Sequence, residues 1–170
     1  MLKKLKNLIE KAKTSSFYLY ILNRLLWIGI PFNKPHRLKI IEVTDKHIKT
    51  FAPFRRKNLN HIKGIHACCI ATVSEFSSGT MLISKLDPGK FRIIMANLNA
   101  TYHYQAKKDL TAITELDDIT LENDILSPLK TSDKIIKILK TDVYDADNNH
   151  VATVETTWQI KSWKSVKTKV

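Results

Sequence analysis

The sequence predicts an α+β fold in which one antiparallel sheet wraps around a single long helix. Three observations carry this: a proline-free apolar run from His66 to Leu86, β-rich runs on both sides of it, and turn chemistry where those runs meet. At 170 residues the chain fits one domain with a well-buried core. Hydrophobic residues make up 44% and only four glycines occur, which excludes a disordered, collagen-like or low-complexity chain.

Leu2, Leu5, Leu8, Ile9 and Ala12 recur at helical spacing with lysines between them. Thr14, Ser15 and Ser16 offer capping hydroxyls for a second helix from about Phe17, whose apolar stretch runs to Phe32 and is closed by Pro31. Asn23 and Arg24 interrupt that stretch, which falls short of the ~20 residues of a membrane-spanning helix, so it reads as a packed helix. Leu38, Ile40 and Ile41, a turn at Thr44 to Lys46, then Ile48, Thr50 and Ala52 predict a hairpin. A polar connection, Arg55 to Asn60, leads into the long helix, which Asp87-Pro88-Gly89-Lys90 stops. β-rich segments follow at about Phe91–Gln105, Asp109–Leu116, Lys134–Tyr144 and His150–Trp163, with Asp118–Ser132 as an irregular insertion. The sheet's other face and its edges need cover, which the N-terminal helices are placed to supply.

The adjacent Cys68 and Cys69 cannot form a disulfide framework and read as small core residues, and no signal peptide is evident at Lys3, Lys4 and Lys6. No histidines show metal-ligand spacing, so no metal site is expected. The net charge of +12 favours anionic partners without choosing among them. Nucleic-acid binding would rest on charge alone, with no recognition helix or aromatic stacking motif, and is not expected.

The segment Asn60-His61-Ile62-Lys63-Gly64-Ile65-His66-Ala67, followed by Glu75, resembles the active-site stretch of hotdog-fold acyl-CoA thioesterases, which include the phenylacetate-pathway enzymes. An Asn six residues before a His at the start of the central helix, and an acidic residue nine residues after it, are matched by Asn60, His66 and Glu75. Leu98-Asn99-Ala100-Thr101-Tyr102, Ala106-Lys107 and Asp109-Leu110 resemble the family's third strand and the turn into its fourth. The whole, including the N-terminal helices and the Glu-Phe-Ser-Ser-Gly run, is similar to a poorly characterised bacterial branch of that superfamily. Four positions depart from the pattern: Ala67 stands at the usual Gly, Glu75 where Asp is frequent, Met95 at a Ser of some members, and Gln105 at a Pro. The His-Phe-Pro segment of hotdog dehydratases is absent.

The resemblance implies a hotdog domain over residues 35–165 behind an N-terminal helical extension over 1–34. It also implies an acyl-CoA or other acyl-thioester hydrolase, in which Glu75 acts as general base or nucleophile. The Ala67 N–H would stabilise the oxyanion, with Asn60 and His66 positioning carbonyl or water. The alternative is a non-catalytic protein that binds acyl-CoA or a fatty-acyl group. Nine helical residues place His66 and Glu75 on opposite sides of the helix, about 13.5 Å apart along its axis, so the two cooperate only across a two-fold axis. A homodimer with composite sites is therefore expected, with a dimer of dimers left open.

Gly64 belongs to the substrate loop, and Arg55, Arg56 and Lys57 are placed to meet the phosphates of coenzyme A, which enters as part of the substrate with no further cofactor expected. A cytoplasmic location is expected. Each residue also has a structural reading: His66 as a helix cap, Glu75 as a hydrogen-bond partner of Ser or Thr, Asn60 as a turn residue, and Arg55 to Lys57 as a solvated charge run.

Overall fold

Alternation along each strand decides which side chains meet the core. The computed structural model describes residues 2–166, with side chains from Leu5 onward. Its strands are β1 (Lys39–Val43), β2 (His47–Ala52), β3 (Phe91–Tyr102), β4 (Leu110–Glu115), β5 (Lys134–Asp145) and β6 (His150–Ser162). They form one sheet in the order β1-β2-β4-β5-β6-β3, with every neighbouring pair antiparallel. Ile48, Thr50 and Ala52 of β2 and Val154, Thr156, Trp158 and Ile160 of β6 are buried on the same face.

The long helix α4 (Ala67–Lys85) lies against that face, with His66 as its N-cap and Leu86 as its C-cap. Its small residues Ser74, Ser77, Ser78 and Gly79 are buried, and their size lets the sheet close around the helix. A methyl group on Gly79 would come within 3.0 Å of the Trp158 ring. Their hydroxyls have partners: Ser77 Oγ donates to Ile48 O at 2.9 Å and Ser74 Oγ to Ile70 O at 2.9 Å, while Thr50 Oγ1 donates to Val73 O at 2.8 Å. Among the described residues no fully buried side-chain nitrogen or oxygen lacks a hydrogen bond. By length and composition α4 resembles a membrane span, but it is the enclosed core helix of the sheet.

The N-terminal helices α1 (Leu2–Ala12) and α2 (Ser16–Gly29) form as expected, followed by one short helix, α3 (Asn33–His36), that was not. They cover the β1 edge and α4. The Asn23 amide makes paired hydrogen bonds with β1, donating to Ile40 O at 2.8 Å and accepting from Ile40 N–H at 2.7 Å, and Trp27 Nε1 donates to Leu38 O at 2.6 Å. Asn23, which interrupts the apolar run in sequence, thus closes a sheet edge. Ser15 occupies the N-cap position of α2, but its hydroxyl makes no capping bond. The expectation of a packed helix over 17–32 needs correcting on two points. The helix ends at Gly29, ahead of Pro31, and it is buried on one face only, at Leu22 and Leu26. The expected irregular insertion is helical instead: α5 (Asp118–Leu121), a π turn (Glu122–Leu126) and α6 (Pro128–Thr131). Asp117 caps α5 through Thr120 N–H at 2.9 Å, and burial of Leu121 and Ile125 anchors the segment.

Candidate active site

The loop from Pro53 to His66 is shaped by two asparagines. Asn58 is buried: its Oδ1 accepts from His36 Nδ1 at 3.0 Å, its Nδ2 donates to His36 O and Pro53 O, and its backbone carbonyl accepts from His66 N–H at 2.8 Å. It therefore ties α3 to the start of α4. Asn60 accepts from Ile62 N–H at 3.1 Å and Gly64 N–H at 3.0 Å, an Asx turn that holds Lys63 at φ 60°. The turn role of Asn60 is real, and it leaves the amide nitrogen without a partner among the described residues. Gly64 is buried against Gln105 and Ala106, where a Cβ would sit 3.2 Å from Ala106 O. Its lack of a side chain serves loop packing.

His66 is exposed, and its Nδ1 accepts from Cys68 N–H at 3.0 Å. With Nδ1 used as an acceptor, Nε2 is the ring nitrogen left to donate. The N–H of Ala67, first residue of α4, has no acceptor among the described residues and lies at the positive end of a nineteen-residue helix. Two donors thus stand together at one helix terminus. Tyr102 of β3 donates from its hydroxyl to Ala67 O at 3.3 Å, tying the far end of that strand to this terminus.

Glu75 lies two and a half turns further along. It is partly buried and lines a cavity of about 210 Å³ with Leu26, Ile30, Phe76, Ile93 and Trp158. Burial pushes its carboxyl above the ordinary glutamate range, and among the described residues no cation lowers it again. The reading of Glu75 as a hydrogen-bond partner of Ser or Thr is overturned: Ser78 Oγ donates to the Glu75 backbone carbonyl, at 3.2 Å, and no side chain among the described residues bonds the carboxylate. A carboxylate in an apolar cavity with no partner among the described residues is costly to ionise.

His66 lines a different cavity, of about 200 Å³, with Phe32, His36, Lys57, Cys69 and Thr72. Within one chain the structure therefore does not bring His66 and Glu75 together, as their spacing required. Of the basic trio, Lys57 shares the His66 cavity, Arg56 is exposed, and Arg55 donates to Pro35 O at 3.4 Å. Cys68 is exposed, while Cys69 is buried, with its thiol pushed up to about 11 by that burial, which keeps it protonated at neutral pH. Among the described residues no group of His, Cys, Asp and Glu is arranged to hold a metal. Sequence reasoning missed Asn58, His36 and Tyr102 as organisers of the site. The alternation of Leu98, Ala100 and Tyr102 was the available signal for the tyrosine, whereas nothing local marks the Asn58 to His36 pair.

The model of the domain-of-unknown-function family DUF4442 matches residues 20–160. The chain belongs to that family. No curated protein sequence matches it significantly. Among solved structures, this DUF4442 chain is similar to a Pseudomonas aeruginosa protein of unknown function provisionally assigned as a thioesterase. The TM-score is 0.75 at 20% identity, over 82% of this chain and 93% of that one. It is also similar to a thioesterase from Haemophilus influenzae, with a TM-score of 0.70 at 13% identity over 92% and 99% of the two chains. A third likeness is to a thioesterase enzyme from Staphylococcus aureus, with a TM-score of 0.64 at 15% identity over 77% and 98%. At these identities the likeness establishes the hotdog fold, in agreement with the sheet wrapped around α4.

Proposed function

We propose that this DUF4442 protein hydrolyses acyl-CoA or a related acyl thioester, at composite sites formed by a homodimer. The observation that carries the reading is the carboxylate of Glu75, without a partner among the described residues, in its apolar cavity. The geometry of β3 supports a counterpart from a second copy. The Tyr102 end of β3 is tied to Ala67 at the start of α4, and Ile93, near the other end, lines the Glu75 cavity. If β3 pairs antiparallel with β3 of a second copy across a two-fold axis, the end bearing His66 and Ala67 of one subunit meets the end bearing Glu75 of the other. β3 is free for this, being an edge strand whose residues from Ile94 to Asn97 are exposed.

In such a site the Ala67 N–H and His66 Nε2–H hold the thioester carbonyl oxygen and stabilise the oxyanion, aided by the helix terminus. Glu75 of the partnering subunit takes a proton from water as the water oxygen bonds to the carbonyl carbon, and the tetrahedral adduct then breaks its C–S bond to release the thiolate of coenzyme A and the free acid. In the covalent route Glu75 bonds to the carbon, the thiolate departs, and water hydrolyses the resulting mixed anhydride to free the acid and Glu75. The apolar cavity beside Glu75 receives the acyl group, and Lys57, which shares the His66 cavity, is placed for the phosphates. Asn60, locked by its turn, offers its amide N–H to the carbonyl or water. Arg55, held toward Pro35, and Gly64, buried in the loop, support that loop.

The test is thiol release from short, long and aryl acyl-CoAs. Turnover should fall at least a hundredfold in Glu75→Gln and about tenfold to a hundredfold in His66→Ala. Mixing the two impaired variants should bring activity to about a quarter of wild type, because half of the dimers then carry one intact site. No regain would break the composite arrangement. Ala67, whose methyl group crowds the approach that Gly leaves open, favours a second reading: an acyl-CoA binding protein without turnover. Tight binding with no thiol release would establish it.

A further inference from the structure

We propose that the N-terminal helical extension docks this protein on an anionic lipid bilayer through the outward face of α2. α2 is apolar nearly all the way round, with Arg24 its single charged residue. One face, Leu22 and Leu26, is buried in the domain. On the opposite side Phe17 is 65%, Tyr20 62%, Leu25 51% and Ile28 76% exposed. At 100° per residue these four span an arc of about 140°, centred opposite the buried face. Phe32, just beyond the helix, is 63% exposed. A helix apolar on all sides is normally enclosed, and an exposed apolar patch of this kind marks an interface.

Charge selects the occupant. Residues 1–40 hold nine Lys and Arg against the single acidic residue Glu10, a net +8 of the chain's +12. Arg24 lies within the apolar arc, and Lys39 borders the groove beside it with Tyr20 and Trp27. Apolar side chains that enter the acyl boundary, combined with basic groups that meet phosphate headgroups, are the combination by which a peripheral helix holds an anionic membrane. α2 carries no acidic residue, so nothing on this helix repels an anionic surface that Arg24 and Lys39 attract. The docking does not depend on hydrolysis, although it places the bilayer behind Leu26 and Ile30, which wall the Glu75 cavity.

The experiment is flotation of the full chain with vesicles of phosphatidylcholine alone and of equal parts phosphatidylcholine and phosphatidylglycerol. Wild type should float with the anionic vesicles, at least tenfold less with neutral ones, and progressively less as salt rises. The triple variant Phe17→Ser, Ile28→Ser, Phe32→Ser should lose at least tenfold in anionic vesicle binding, and Arg24→Glu should lose several-fold. Ile136→Ser with Ile138→Ser, 51% and 56% exposed on the outer face of the sheet, should bind as wild type. An unchanged melting temperature in each variant shows that the fold survives. Failure of wild type to float with anionic vesicles overturns the proposal. So does equal loss in the sheet-face control, or a change of oligomeric mass in the triple variant with vesicle binding intact, which would assign the face to protein contacts.

Discussion

The two edges of the sheet are finished in opposite ways. At β1 the helix α2 supplies a substitute strand of side chains: Asn23 mimics a backbone pair against Ile40, and Trp27 takes the Leu38 carbonyl. At β3 twelve residues run along an edge with Arg92 as their only charge and one bulge at Ala96. An uncovered edge of that length and composition is a template for another strand. The first edge is sealed by the chain itself, and the second is left for a partner, which in our reading completes the active site. The difference shows how an extension at one end of a chain can dictate which end of its sheet remains open.

The largest expected effect breaks the comparison at β3. Ile94→Glu with Asn97→Glu places like charges across the proposed two-fold axis. It should give a folded monomer by sedimentation and lower thiol release at least a hundredfold, since each composite site needs both chains. A dimer with full activity would show that β3 is not the seam. On the sealed edge, Asn23→Ala strips both partners from Ile40 and should cost about 2–3 kcal/mol of stability in denaturant melts, with the oligomeric state unchanged. Dissociation of that variant would mean that the two edges are not independent.

A smaller effect separates Glu75 from both edges. Its folded-state pKa is raised by burial, so the native chain holds this proton more tightly than the unfolded chain. The resulting penalty is absent below the unfolded pKa, grows as pH rises toward the folded value, and is complete above it. Glu75→Gln should therefore raise the melting temperature at pH 8, with the gain vanishing in acid. If Glu75 is the base, the acid limb of the rate profile should also lie above the ordinary glutamate range. The smallest effect is at Lys57→Ala, which should raise KM for acyl-CoA about threefold and leave kcat unchanged.

Element type was legible where periodicity was strong. The run from His66 to Leu86 became α4, and the alternation in Val151 to Trp158 became β6, because burial on one face leaves a repeat that local sequence displays. The insertion at 118–132 was not legible. Its short turns depend on Leu121 and Ile125 finding the core, which no local pattern announces. In the site, the positions of Asn60, His66 and Glu75 were visible as spacing. The lock of Asn58 onto His36, twenty-two residues away, and the bond from Tyr102 to Ala67 were not.

By itself the sequence determined an α+β fold built around one helix, and a spacing that keeps His66 and Glu75 apart within a chain, because helical period and strand alternation are local properties of the backbone. Only the tertiary structure decided that Asn23 closes β1, and that among the described residues Glu75 has no partner and nothing covers β3 or the outer face of α2. Those outcomes depend on which surfaces meet after folding, and burial between segments distant in the chain leaves no periodic trace in either one.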